Sequence, residues 1–127
     1  MKDNKQLLMT IAFRLLLVVT LAFISWQATI RNGIQLPVAN SDKLLHFLAF
    51  YTLAFLLDFS FPKIRFGVLQ IIVLIGYGIL IEYVQSFLPN RSADIADLLT
   101  DVVGIAVYAV TIPLLLPLFF YQQDRRM

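Results

Sequence analysis

The chain has 127 residues, of which 60% are hydrophobic and 14% charged, with a formal net charge of +2. A soluble domain carries about 25% charged residues, so composition argues against a soluble globular enzyme, a disordered chain and a nucleic-acid binder. It leaves an all-α integral membrane protein: a spanning helix needs about 20 apolar residues, and this length holds four with short loops, as a single transmembrane domain.

The first apolar run covers 7–30 and carries Arg14 near its start, where a long basic side chain can snorkel to the headgroups. The run is too long for the apolar region of a signal peptide, and Trp26-Gln27-Ala28-Thr29 is a poor cleavage site, so a retained helix is expected. A polar loop with Gly33 and Pro37 follows and ends in Ser41-Asp42, a helix-start signal. The second helix is expected over 43–61 and the third over 66–88, where Pro89-Asn90 stops it. The fourth is expected over 93–121, with Pro113 and Pro117 loosening its last turns. Backbone groups in lipid must bond within their own segment, which favours helices over isolated strands. There is no cysteine, which removes disulfides, thiolate metal sites and cysteine nucleophiles.

Lysine and arginine set the orientation. Lys2, Lys5, Arg14, Lys63, Arg65, Arg125 and Arg126 fall on one side of this four-helix layout; Arg31, Lys43 and Arg91 fall on the other. A multi-pass protein of the cell membrane with both termini in the cytoplasm is expected. Arg14 and Asp58 are then read as interfacial residues at cytoplasmic helix ends.

The unusual polar residues gather on the outward side. Asp42, Lys43 and His46 open the second helix, Glu82 and Gln85 close the third, and Arg91, Asp94, Asp97 and Asp101 surround the start of the fourth. Offsets of three, four and seven put Asp94, Asp97 and Asp101 on one helical face, with Gly104 and Tyr108 further along it. At about 1.5 Å per residue, Glu82 lies roughly 9 Å below its helix end and Asp101 roughly 12 Å below its helix start. An ionised carboxylate at the bilayer centre costs about 3 kcal/mol on insertion scales, so two at matched depth point to one inward cavity. Asp101 and Glu82 are expected to face each other, with Gln85 as the nearest neutral donor, and at least one of them to be protonated or cation-bound. Mg²⁺ or Ca²⁺ is a natural counter-ion for such oxygen ligands, and Glu82, Asp94, Asp97 and Asp101 are the candidate metal ligands. Lys43, Gln85 and Arg91 are candidates for ligand binding; His46, Glu82 and Asp97 are candidates for proton transfer. Gly76 and Gly78, facing Gly104 and Ala106, are expected to let the helix backbones approach closely.

In order, Asp42-Lys43-x-x-His46, Glu82-x-x-Gln85, Pro89-x-Arg91 and Asp97-x-x-x-Asp101-x-x-Gly104 resemble the signature of VanZ-like membrane proteins, over roughly residues 40–110. Asp101 departs from the pattern, where the family usually has Asn, and adds a negative charge at the deepest point. The resemblance implies a bacterial cell-envelope protein with a link to teicoplanin and glycopeptide resistance. It brings no established reaction. Two function classes follow from the residues. One is a membrane protein that binds or processes a lipid-linked or amphipathic envelope ligand, with membrane lipids and a lipid-linked precursor as partners. The other is a non-catalytic scaffold, small transporter or proton relay, for which oligomerisation would help, since four helices are few.

Overall fold

The computed structural model describes residues 2–30, 37, 41–89 and 94–115. They form four helices, α1 (Lys2–Thr29), α2 (Ser41–Ser60), α3 (Val68–Gln85) and α4 (Ile95–Leu115), with no strand among the described residues. All four are long and apolar enough to cross a membrane.

The boundaries follow local chemistry. α1 begins at Lys2, earlier than the apolar run, because the polar residues before Leu7 continue the helix, with Asp3 in the first turn where the helix dipole favours an acid. α3 is shorter than the apolar run at both ends. Gly67 has an extended backbone (φ −157°, ψ −152°), and the Gln70 side chain turns back to accept its N–H at 2.9 Å. Beyond Gln85 the chain tightens: the N–H groups of Phe87 and Leu88 bond to the carbonyls three residues back, at 3.1 Å each. Pro89 follows and cannot donate to a continued helix. The expected end of the fourth helix near residue 121, including Pro117, lies outside the described residues.

α2 and α4 run parallel and form the most extensive interface; α1 packs antiparallel on α2, and α3 makes smaller contacts with the others. The core comes from α2 (Phe50, Leu53, Ala54, Phe59), α3 (Leu74, Ile81) and α4 (Ile105, Tyr108, Ile112). Gly104 brings α4 against α2: a Cβ there would stand 2.7 Å from the Phe47 carbonyl oxygen. Gly78 serves the α3–α4 contact, but Gly76 has open space around it and Ala106 is exposed. The expected pairing of small residues therefore reduces to one glycine per helix, because neighbours two residues apart point about 200° apart around a helix. The outer faces are strongly apolar, with Leu15, Val18 and Val19 on α1 and Val68, Leu69 and Ile72 on α3 all exposed.

At the end where α2 stops, Asp58 is held inside the bundle: it is 1% exposed, and the Tyr108 hydroxyl donates to its Oδ2 at 2.5 Å. The cause is tertiary: Tyr108 continues the buried stripe of α4 and delivers its hydroxyl to the last turns of α2. Nearby, Arg14 Nε donates to the Ser60 carbonyl at 2.8 Å, and its guanidinium lies 4.9 Å from the Phe61 ring centre. α1 is thereby tied to the end of α2 by one hydrogen bond and one cation–π contact.

Candidate functional site

At the opposite end, the start of α2, the end of α3 and the start of α4 converge. Residues 42, 43 and 46 lie on adjacent turns of α2 and meet Asp94, just before α4, and Asp97 and Asp101 within it because the two helices run in the same direction. Lys43 Nζ reaches three carboxylates, Asp42 at 3.1 Å, Asp94 at 3.2 Å and Asp97 at 3.1 Å. One turn deeper, His46 Nδ1 sits 2.7 Å from Asp101 Oδ1, while Nε2 is 3.6 Å from Asp97 Oδ2. Asp101 is fully enclosed and Asp97 is buried.

Glu82 ties α3 to α4. Its Oε1 accepts the backbone N–H of Asp94 at 2.9 Å. Asp94 in turn starts α4: its Oδ1 accepts the N–H of Ala96 at 2.9 Å, and its carbonyl accepts that of Asp97 at 3.0 Å. The Ala96 N–H and then the Lys43 ammonium hold the Asp94 carboxyl below the ordinary aspartate value of 3.8.

Glu82 and Asp101 share this region, but their expected partnership with Gln85 is not found. Asp101 pairs with His46, and Gln85 Nε2 donates to the Ala28 carbonyl of α1 at 3.0 Å. Gln85 ends α3 on the face toward α1, whereas the α2–α4 contact brings His46 to Asp101. Each carboxylate keeps one oxygen, Glu82 Oε2 and Asp101 Oδ2, buried without a hydrogen-bond partner among the described residues. Gly78 gives the latter its room, since a Cβ there would come 2.9 Å from Asp101 Oδ2. Arg91 lies outside the described residues.

Among the described residues, two sets of side chains bring donor atoms within 4.8 Å of one another: His46, Glu82 and Asp97, and Asp42, Asp94 and Asp97. Lys43 already bridges all three members of the second set. Beside the cluster, a cleft of about 170 Å³ opens between α1, α2 and α3. Phe23, Ala28, Leu45 and Ile81 make much of its apolar wall; Gln27, Asp42, His46 and Gln85 give it a polar edge. The α1 residues of this wall were not legible as site residues, since a lone Gln27 in an apolar run gives no spacing signal.

The fold and site define a class: an all-α chain with four membrane-length helices and a buried acid–histidine–lysine cluster at one end of the bundle. The VanZ/LLP1 family profile matches residues 3–116, and the chain belongs to that family. It is similar to an uncharacterized protein, C11E3.10, of Schizosaccharomyces pombe (strain 972), with 37% identity over 75 residues. That match takes in 57% of this chain and 46% of the yeast protein, so the chain spans about half the length of the curated relative it matches. No solved structure matches it.

Proposed function

We propose that the protein is a multi-pass membrane protein with both termini in the cytoplasm, and that it binds a lipid-linked or otherwise amphipathic envelope ligand for processing or presentation at its outward face. The observation that carries this reading is the cleft, apolar along its wall and polar along the edge it shares with His46 and Gln85. At about 170 Å³ it is smaller than the roughly 300–1,000 Å³ of a pocket that engulfs a drug-sized molecule. It suits one segment of a hydrocarbon chain whose remainder lies in the bilayer. In this reading Lys43 and Arg91 attract an anionic headgroup, Gln85 orients it, and His46 with Glu82 or Asp97 moves a proton.

A second reading, a non-catalytic scaffold, draws on Lys43 and Glu82. Lys43 meets three carboxylates of its own chain, and Glu82 caps α4, so part of the cluster holds helices together. Leu45→Trp separates the two, because it fills the cleft and leaves the polar cluster intact. A photoactivatable polyprenyl phosphate should crosslink to the wild-type protein in vesicles at α1 and α2, and lose most of that labelling in the folded Leu45→Trp protein. Equal labelling of both, or labelling spread over the outer faces of α1 and α3, refutes the cleft as the binding site.

A further inference from the structure

We propose that His46, Glu82 and Asp97 form a binding site for a divalent transition-metal ion, Zn²⁺ or Mn²⁺, with Asp101 as its outer partner through the histidine. Three helices each supply one of these side chains, and their donor atoms lie within 4.8 Å of one another. Donors around an ion at about 2.1 Å stand about 3–4 Å apart, so small rotamer changes close the shell. Spacing alone would describe any acidic cluster. The second observation is that Glu82 is more than nine-tenths buried and its Oε2 has no hydrogen-bond partner among the described residues.

The contacts also divide each ligand into a held atom and an available one. His46 Nδ1 lies 2.7 Å from Asp101 Oδ1; with that carboxylate ionised and the imidazole neutral, Nδ1 carries the proton and the lone pair is left on Nε2, the nitrogen that lies 3.6 Å from Asp97 Oδ2. Lys43 holds the other oxygen of Asp97 at 3.1 Å. The Asp94 N–H holds Glu82 Oε1 and leaves Oε2 unpaired. A carboxylate–histidine pair that fixes the tautomer and aims the second ring nitrogen is the usual outer support of a metal-bound histidine. One imidazole and two carboxylates with a position left open suit Zn²⁺ or Mn²⁺ better than Ca²⁺, which takes 6–8 oxygens, or Mg²⁺, which keeps near-octahedral oxygen ligation. The ion also answers the charge, since Asp42, Glu82, Asp94, Asp97 and Asp101 meet a single lysine among the described residues.

This inference does not depend on the amphipathic ligand, and its test reads metal alone. The full chain in detergent is stripped with chelator, loaded separately with Zn²⁺, Mn²⁺, Mg²⁺ or Ca²⁺, desalted, and its metal content measured. About one Zn²⁺ or Mn²⁺ per chain is expected, with Mg²⁺ and Ca²⁺ washed away. His46→Ala and Glu82→Gln should lower affinity by about tenfold or more, Asp101→Asn by about 10–100-fold, and Asp3→Asn, at the far end of the bundle, should leave it unchanged. X-ray absorption of the Zn²⁺-loaded wild type should show imidazole scattering, which decides the matter even where His46→Ala fails to fold. A wild-type protein that retains no Zn²⁺ or Mn²⁺, a folded His46→Ala protein with undiminished affinity, or a spectrum without imidazole overturns the proposal.

Discussion

Replacing Gly104 by Ala adds one methyl group where α4 touches the backbone of α2. The new Cβ would stand 2.7 Å from the Phe47 carbonyl oxygen and 3.3 Å from the Tyr51 nitrogen, whereas ordinary contact begins at 3.4 Å. Both are backbone atoms, so no side chain can swing away; the helices must part by about 0.7 Å. Overpacking of this kind costs about 1–3 kcal/mol. The same displacement reaches the site, because Phe47 follows His46 and Asp101 lies one turn before Gly104. A translation of about 0.7 Å would stretch the 2.7 Å His46–Asp101 contact to about 3.4 Å, beyond good hydrogen-bond length. Gly76→Ala is the built-in control, with nothing within 4 Å of its Cβ; it should be neutral or stabilise α3 by up to about 1 kcal/mol. The assay is equilibrium unfolding of both variants in mixed micelles, with the His46 ring followed by ¹⁵N NMR. Equal stability of the two variants, or an unaltered His46 environment in Gly104→Ala, would refute the close-approach argument.

Tyr108→Phe removes the hydroxyl that donates to buried Asp58 and should destabilise the protein by about 1–3 kcal/mol in the same unfolding assay. Asp94 titrates below the ordinary aspartate value. A carboxyl depressed by folding contributes stability above its unfolded pKa and loses it as pH falls through the folded one. The acid-side loss of stability below about pH 4 should therefore weaken in Asp94→Asn; ¹³C titration of the carboxyl gives the pKa directly, and a midpoint at or above 3.8 contradicts the Lys43 and Ala96 contacts as its cause.

Helix number and sequence position could be read from the chain because apolar run length is a direct consequence of crossing hydrocarbon. The stripe of Asp97, Asp101, Gly104 and Tyr108 was equally readable, since helical periodicity alone puts these residues on one face. Partner choice was not. Depth along the helices brings Asp101 and Glu82 into one region, but depth does not name a hydrogen-bond partner, and the α2–α4 contact gives Asp101 to His46. The burial of Asp58 was no more legible, because it depends on a tyrosine 50 residues away. Gln85 shows a further limit: its bond to the Ala28 carbonyl involves a backbone atom that no residue type announces.

Two of the polar contacts between α2 and α4 have a consequence for how this pair finds its alignment. In hydrocarbon, smooth apolar helices gain nearly the same dispersion energy at many axial offsets. His46–Asp101 near one end and Asp58–Tyr108 near the other remove that freedom. A slip of one helical turn, about 5.4 Å, would break both pairs. The pairs thus act as two marks on a ruler: their worth is in admitting a single register, so that a cluster assembled from separate helices meets in the same place each time the chain folds.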